Sequence, residues 1–184
     1  MERKTYKNVI ENRKYIIFAL AEIMRIKPFH EIAVTEVCKK AGISKNTFYR
    51  HFDSLSDVIY KAIGEINTEM VKKYEHQTNQ TAEEFILYTC YIWYENRELY
   101  LGFTQDETVY IIKEMIKKDI ENFLESRKIE NNDKGIYCEF FSTVFSMFLC
   151  WWCKNNFSVT PETLAKQIKC YLCGNVLERI EAVL

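Results

Sequence analysis

The sequence predicts an all-α fold of about nine helices. Only 5 Gly and 2 Pro occur among 184 residues, so few positions suit hairpin turns or strained backbone. Hydrophobic residues make up 48% of the chain and recur at helical spacing along most of it. These observations favour an N-terminal unit of three helices, residues 1–53, followed by a larger helical unit, residues 54–184.

The first predicted helix runs from Asn8 to Ile26, with Ile16, Leu20 and Ile23 on one apolar stripe. The "KPF" that follows ends the pattern, because proline lacks the backbone donor that a helix needs. The chain therefore opens on one long helix and a break.

Two short helices follow and are joined at a glycine. Thr35 is the predicted N-cap of the first, and Gly42 stands where a left-handed C-cap is needed. Ser44 is the predicted N-cap of the next helix, in which Phe48 and Phe52 are four residues apart and face inward together. This arrangement is typical of a helix-turn-helix.

Capping residues mark the starts of the later helices. The predicted capping boxes are Ser54 with Asp57, Thr81 with Glu84, and Thr104 with Glu107. Thr160 followed by Pro161 predicts the start of the last helix, because proline is favoured at the first helical position.

The residue types present exclude several functional classes. The sequence contains no Gly-rich phosphate loop, no dinucleotide fingerprint, no G-x-S-x-G and no H-E-x-x-H, so neither an enzyme nor a cofactor is expected. The start of the chain lacks a secretory signal pattern, which favours the cytoplasm. The most apolar run, residues 144–153, is shorter than the roughly 20 residues of a membrane-spanning helix, so no membrane is expected.

Charge is distributed unevenly along the chain. Residues 1–60 carry 11 Lys and Arg against 7 Asp and Glu, whereas the whole chain has a net charge of -1. A polyanion partner is therefore expected at the N-terminal end.

The segment "IAVTEVCKKAGISKNTFYRHFDSLSDVI", residues 32–59, resembles the DNA-binding segment of the TetR/AcrR family of transcriptional regulators. The resemblance implies a homodimeric, repressor-type switch without a cofactor. Residues 1–53 would be the helix-turn-helix DNA-binding domain on a double-stranded operator. Residues 54–184 would dimerise and bind a small-molecule effector.

Polar side chains of the third helix are the candidates for DNA contact. With Phe48 and Phe52 inside, the outward side chains are those that hydrogen-bond phosphates and base edges. They are Lys45, Asn46, Thr47, Tyr49, Arg50 and His51, preceded by the capping Ser44. Lys45 and Asn46 lie near the helix start, the part that meets base edges, so these two are expected to read sequence.

The family resemblance adds a second group, the phosphate contacts. It implies this role for Thr35, Thr47, Tyr49 and His51. One departure concerns the start of the fourth helix, where many members carry a lysine and this chain has Leu55. Asp53 and Asp57 lie nearby and would repel a phosphate.

Aromatic residues are dense between positions 85 and 110. An apolar or planar ligand could lie among them, although aromatic stripes at helical spacing are equally typical of a core. The candidate ligand-binding residues are Tyr88, Tyr91, Trp93, Tyr94, Phe103 and Tyr110.

The segment from Ile136 to Trp152 is apolar on two sides, so it needs two neighbours. A homodimer interface on the last two helices is therefore predicted. Its candidate residues are Phe141, Phe145, Phe148, Trp152, Leu164, Ile168 and Leu172.

Two C-x-x-C pairs raise the alternative of a metal or redox sensor. Cys150 and Cys153 precede the predicted interhelical turn, and Cys170 and Cys173 follow it. At 1.5 Å per residue the pairs are offset by about 10 Å along antiparallel helices, so the four sulfurs do not meet at one zinc ion within a chain. Buried, apolar cysteines are the favoured interpretation. A sensor using these thiols and a protein-interaction module remain as alternative functions.

Overall fold

The computed structural model describes residues 2–74, 81–126 and 134–172, with side chains for residues 11–68, 81–125 and 134–171. The described residues form nine α-helices and one 3-10 turn and contain no strand, which confirms the predicted all-α fold. The helices are α1 (Glu2–Met24), α2 (Val34–Ala41), α3 (Lys45–Tyr49), α4 (Leu55–Tyr74), α5 (Ala82–Glu95), α6 (Arg97–Phe103), α7 (Val109–Ser126), α8 (Lys134–Lys154) and α9 (Pro161–Leu172), and the 3-10 turn is Phe29–Glu31.

The turn between α2 and α3 follows the predicted chemistry. Gly42 has φ 68°, the left-handed conformation that glycine adopts without steric cost. The Ile43 amide donates to the Cys38 carbonyl oxygen at 3.0 Å, which closes the C-terminus of α2. The Ser44 hydroxyl then accepts from the Thr47 amide at 3.1 Å and caps α3. These contacts fix α3 relative to α2.

Thr35 is not an N-cap, so that prediction is wrong. Helix α2 begins at Val34 and its N-cap is Ala33, two residues before the predicted N-cap, and Ala33 makes no side-chain hydrogen bond. Ile32 is buried just before it and fixes the direction in which the chain enters the helix. Packing of an apolar neighbour has therefore decided the start of α2 over the stronger capping residue.

The starts of the later helices follow the predictions with two exceptions, the Thr104–Glu107 box and the Ser54–Asp57 box, whose Asp57 carboxylate accepts from the Asp53 amide instead of the Ser54 amide. Ser54 and Thr160 cap α4 and α9, and Thr81 with Glu84 forms a capping box on α5. The Thr104–Glu107 box is wrong because α7 begins only at Val109. The buried Thr104 hydroxyl instead donates to the Tyr100 carbonyl oxygen at 2.8 Å, at the end of α6.

The C-terminal helices pack in pairs around a large apolar core. The main neighbours are α7 with α8, α5 with α9, and α4 with α7. Helix α8 is long and apolar enough to cross a membrane by length and composition, yet half of it is buried in the fold, and the core helix of a soluble protein passes the same test. Its largest fully buried side chains are Phe145, Leu149 and Trp152.

The N-terminal helices are joined to the C-terminal ones by a close contact between α1 and α6. A Cβ atom on Gly102 would lie 2.2 Å from the Ala21 carbonyl oxygen, so only glycine lets the two backbones approach this closely. Arg25, directly after α1, also binds Glu98 of α6, with one guanidinium nitrogen 2.7 Å from the Glu98 carbonyl oxygen. Helix α1 is thus held by both halves of the chain.

A second contact lies at residues 104–108, the corner between α6 and α7. The side-chain nitrogen of Gln105, Nε2, donates to the Met24 and Lys27 carbonyl oxygens. The side-chain oxygen, Oε1, accepts from the Phe29 backbone amide at 2.7 Å. Glu107 accepts from the His30 amide at 2.9 Å and pairs with the His30 ring. The Gln105 and Glu107 side chains therefore hold the main-chain segment that leads from α1 to α2.

Candidate functional site

The exposed side of α3 carries a row of polar side chains. Lys45, Asn46, Tyr49 and Arg50 are exposed, and Thr47 and His51 are part-buried. We name these six residues the α3 surface. Phe48 and Phe52 are 0% and 1% exposed on the opposite side, so the inward and outward faces are those expected from the sequence.

Thr47 lies at the centre of local hydrogen bonds on the α3 surface. Its hydroxyl is 3.0 Å from the Ser44 hydroxyl and accepts from an Arg50 guanidinium nitrogen at 3.1 Å. The Arg50 Nε also donates to the Asn46 carbonyl oxygen at 3.3 Å. These bonds orient the guanidinium along the surface, where it can meet a phosphate.

His51 is the part-buried end of the α3 surface and has two arginines near it. Burial, followed by the charges of Arg13 and Arg50, lowers the pKa of His51 below its usual value. The Arg13 guanidinium lies 4.7 Å from the centre of the Phe52 ring and pairs with Glu65. A neutral His51 can offer one ring N–H to a phosphate, but it brings no charge of its own.

The start of α4 is less acidic than the sequence suggests. The Asp57 carboxylate lies 2.7 Å from the Lys61 ammonium and accepts from the Asp53 amide at 2.9 Å. Burial alone would raise the pKa of Asp57, but these two partners outweigh it and lower the pKa. Lys61 also donates to the His51 carbonyl oxygen at 3.3 Å, so a cation lies near α3 even though Leu55 replaces the family lysine.

Thr35 is exposed in the first turn of α2, where backbone N–H groups point outward. Two nearby lysines have acidic partners, since Lys27 lies 2.8 Å from Glu36 and Lys40 lies 2.8 Å from Glu22. The structure thus leaves Thr35 available at the helix terminus, a setting that favours phosphate.

The six predicted ligand-binding aromatics lie on three helices, α5, α6 and α7, and differ in burial and in partners. The Tyr91 hydroxyl donates to Glu162 on α9, and Tyr110 is 59% exposed on α7. Trp93 and Phe103 are buried, whereas Tyr94 stacks beside Trp152 at the outer end of α5. Tyr88 is part-buried on the same helix. Most of these residues are packing residues of α5.

Sequence reasoning missed a polar cluster inside the C-terminal helices. Asn67 on α4 donates to the Asp119 carboxylate on α7 at 2.6 Å. Tyr100 on α6 is 1% exposed, and burial, followed by the charges of Asp119 and Cys153, raises its pKa. In the sequence Asp119 follows two lysines and looks like part of a solvated face, so no local signal indicates this cluster.

The predicted dimer residues are mostly buried inside a single chain, so the expected interface face is wrong. Phe145, Trp152, Leu164 and Ile168 are each 0% exposed, Phe141 is buried and Phe148 is part-buried. The side chain of Leu172 lies outside the described residues. The reason is that α8 is apolar all round, and its Phe141 and Phe145 side contacts the chain's own helices. The apolar side chains left exposed on α8 and α9 are Ile136, Phe140, Met147, Trp151 and Tyr171.

The described cysteines have the character of core residues. Cys150 and Cys153 are buried, and burial raises the pKa of their thiols to about 12 and about 11. Cys170 is exposed, and Cys173 lies outside the described residues. No group of three or more metal-binding side chains occurs within the part of the chain that is described. A raised thiol pKa disfavours the thiolate that metal binding and oxidation require, so the buried pair Cys150 and Cys153 does not support the sensor alternative.

Two family models match this chain. Residues 16–58 match the model "Bacterial regulatory proteins, tetR family", and residues 80–173 match "Transcriptional regulator C-terminal region". A stretch of 63 residues is 30% identical to the uncharacterized HTH-type transcriptional regulator YdgC of Bacillus subtilis. That stretch covers 34% of this chain and 32% of YdgC, about a third of each.

Solved structures share the fold over most of the chain. A TetR-family transcriptional regulator from Syntrophomonas wolfei has a TM-score of 0.62 and 14% identity, over 88% of this chain and 92% of its own. The regulator FadR from Bacillus subtilis, in complex with stearoyl-CoA, has a TM-score of 0.56 and 16% identity, over 84% of this chain and 94% of its own.

Proposed function

Because the chain belongs to the tetR family of bacterial regulatory proteins, we propose that it is a sequence-specific, DNA-binding transcriptional repressor without enzymatic activity. The observation that supports this most directly is the α3 surface, where polar side chains are exposed on a helix anchored by Phe48 and Phe52. Such a helix fits the major groove. The cytoplasm is its proposed location.

The side chains of the α3 surface divide into two proposed roles. Lys45 and Asn46 are exposed in the first turn, where a recognition helix meets base edges, so they read sequence. Thr47, Tyr49 and His51, with Thr35 on α2, hold phosphates. Arg50 is oriented by Thr47 and supplies a charged phosphate contact, since its guanidinium already lies along the surface.

A homodimer is proposed to present two such helices to one operator. The exposed apolar side chains on α8 and α9 support this, because Met147 is 64% exposed and Trp151 is 49% exposed on the side away from the chain's own core. Tyr171 of α9 stacks on Phe148 of α8 at 6.0 Å, which joins the two helices into one surface. Burial of this surface against a second copy would remove it from water.

An effector bound in the C-terminal domain is proposed to alter operator affinity through two connections. Helix α4 begins directly after α3 and continues into the C-terminal core, so its movement would displace α3. The contact of α6 and its corner with α1 provides the second connection. A ligand changes DNA affinity only as far as it distinguishes the two conformations.

The proposed DNA function is tested by selection of binding fragments from the source genome, followed by titration of single-base variants of the selected operator. Lys45→Ala should cost about 1 to 3 kcal/mol on the best operator and reduce discrimination at one base of each half-site. Tyr49→Phe should weaken binding to all variants alike. Lys166→Ala, which removes an exposed lysine from α9, is the matched control.

Two outcomes would contradict the proposal. Failure to select any fragment would reject DNA binding and favour a protein-interaction module. An even loss across all base variants for Lys45→Ala, with a changed preference for Tyr49→Phe, would reverse the assigned roles.

The proposed dimer is tested by Met147→Glu, which places a charge on the exposed apolar surface. Sedimentation at micromolar concentration should give a dimer for the wild type and a monomer for the variant, with much weaker binding to the full operator. Ile26→Glu, at a site 86% exposed on the N-terminal half, should remain dimeric. A monomeric wild type that binds a single half-site at full affinity would reject the dimer.

A further inference from the structure

The Tyr100 hydroxyl is buried without a hydrogen-bond partner within the described part of the chain. Its ring stacks on Trp93, with the ring centres 4.0 Å apart and the planes 10° from parallel. A buried hydroxyl that makes no hydrogen bond costs free energy, because it loses its bonds to water and gains none. The ring is thus held firmly by packing while its polar end is left unsatisfied.

Asp119 adds a second uncompensated group in the same interior. Its carboxylate is part-buried and accepts from Asn67, a neutral amide, and it forms no ion pair with a described residue. Burial raises the pKa of Asp119 to about 7, against the opposing charge of Lys118. A carboxylate drawn from water without a cation beside it is unfavourable, so the fold alone gains nothing from it.

The three residues of the cluster differ in burial. Asn67 and Asp119 are part-buried, whereas Tyr100 is fully buried. Their apolar neighbours in sequence lie one helical turn away and are buried: Ile63 on α4, and Met115 and Ile116 on α7. A molecule entering beside Asp119 would therefore meet charge and hydrogen-bonding groups first and apolar surface behind them.

We propose that Asn67, Tyr100 and Asp119 form a binding site for an organic cation with an apolar or aromatic body. The Asp119 carboxylate pairs with the positive charge, the Tyr100 hydroxyl forms a hydrogen bond to the ligand, and the stacked rings of Trp93 and Tyr100 contact its body. A neutral ligand would leave an ionised Asp119 without a counter-charge, and an anion would place a second negative charge beside it.

This inference rests on the proposed function, because the cation is the effector of the regulator. The three residues lie on α4, α6 and α7. One bound molecule would therefore contact α4 and α6, the two helices that connect to the DNA-binding half. The ligand satisfies the Tyr100 hydroxyl and the Asp119 carboxylate, which lack full partners in the empty site. It therefore stabilises the conformation in which it makes these contacts.

The test adds organic cations and anions to the full chain without DNA, and tetraphenylphosphonium and tetraphenylborate form the pair of matched shape and opposite charge. Tetraphenylphosphonium and the smaller benzyltrimethylammonium are the cations, and tetraphenylborate and palmitoyl-CoA are the anions. Tryptophan fluorescence and calorimetry give the affinities. At least one cation should bind below millimolar concentration, and about 10- to 100-fold more tightly than either anion.

Substitutions assign the binding to the cluster. Asp119→Asn should weaken cation binding about 10- to 100-fold and leave anion binding unweakened or stronger, because it removes the negative charge that repels an anion, and Tyr100→Phe should weaken cation binding about 3- to 10-fold. Glu114→Gln removes an exposed carboxylate from the same helix and should have no effect.

The proposal is wrong if neither cation binds below millimolar concentration, if an anion binds as tightly, or if Glu114→Gln matches Asp119→Asn. Cation binding that meets these expectations, in a protein that selects no DNA, would reject the regulatory function and retain the site.

Discussion

The two halves of the chain place their polar side chains in opposite ways. On α3, Lys45, Asn46 and Arg50 are exposed, so folding leaves their hydration largely intact and they are available to an external partner. In the C-terminal half, Tyr100 and Asp119 are drawn inward without complete partners. Exposed side chains that recognise a large, charged partner lower the stability of the fold little. A small interior site is instead built from polar groups whose burial destabilises the fold while no ligand is bound.

The largest expected effect tests whether the two halves share one fold. Gly102→Ala places a Cβ atom 2.2 Å from the Ala21 carbonyl oxygen, so α1 and α6 must separate. The free energy of unfolding should fall by about 3 kcal/mol. Gly135→Ala, where no atom lies within 4 Å, should change it by about 0.5 kcal/mol or less. Urea denaturation measures both, and equal midpoints would show that the halves are only loosely joined.

The next effect concerns the cost of the interior carboxylate. The pKa of Asp119 is about 7 in the folded chain, above the ordinary aspartate value of 3.8, so the folded state binds the proton more tightly than the unfolded state does. The corresponding stability is fully present below pH 3.8 and is lost as the pH rises to about 7. Asp119→Asn should therefore raise the free energy of unfolding at pH 8 by about 1 to 3 kcal/mol.

Denaturation at pH 4 and pH 8 checks this sign. The gain should be small at pH 4, where the wild-type carboxyl is largely protonated, with Asn67, Tyr100 and Lys118 as its neighbours. Glu114→Gln should show no comparable difference between the two pH values. A loss of stability in Asp119→Asn at pH 8 would indicate that the carboxylate is well compensated and would remove the contrast between the halves.

A smaller effect separates two residues with the same capping preference. Ser44→Ala removes the cap of α3 and should cost about 1 kcal/mol of stability. Thr35→Ala should cost less than about 0.5 kcal/mol, because Ala33 holds the N-cap position of α2. Thermal unfolding gives both values. If Thr35→Ala weakens operator binding while leaving stability intact, its role lies in phosphate contact.

The smallest expected effects concern the salt dependence of operator binding, which His51→Gln should leave unchanged. The pKa of His51 is lowered, so the ring is neutral at pH 7.5, and His51→Gln should leave the slope of log K against log salt unaltered. Arg50→Gln should reduce that slope by about 1. Titrations at three salt concentrations distinguish the two variants. Equal reductions would mean that DNA binding protonates His51.

The sequence was sufficient where a structural feature depends on residues a few positions apart. Gly42 predicts the left-handed turn, Ser44 predicts the cap of α3, and Phe48 with Phe52 predicts its buried face. Each prediction follows from the conformational preference or the helical spacing of those residues alone. The DNA-binding half is built largely from such local signals, which is why its architecture could be described before the structure.

The sequence was insufficient where contacts join distant residues. Asn67 and Asp119 are 52 residues apart, and nothing near either one indicates the other. Helix α8 is apolar on all sides, so periodicity could not distinguish the buried Phe145 from the exposed Met147. The start of α2 was mistaken because burial of Ile32 outweighed the capping preference of Thr35.

The hydrogen bonds of the Gln105 side chain have a consequence for chimeric regulators that join the N-terminal half of one relative to the C-terminal half of another. Its side-chain amide contacts the main chain at Met24, Lys27 and Phe29, atoms that almost any residue would present there. A chimera joined near residue 53 keeps these bonds if the relative that supplies its C-terminal half has the glutamine. Sequence differences at positions 24, 27 and 29 therefore do not by themselves make two halves incompatible, whereas replacement of the glutamine at position 105 removes these bonds.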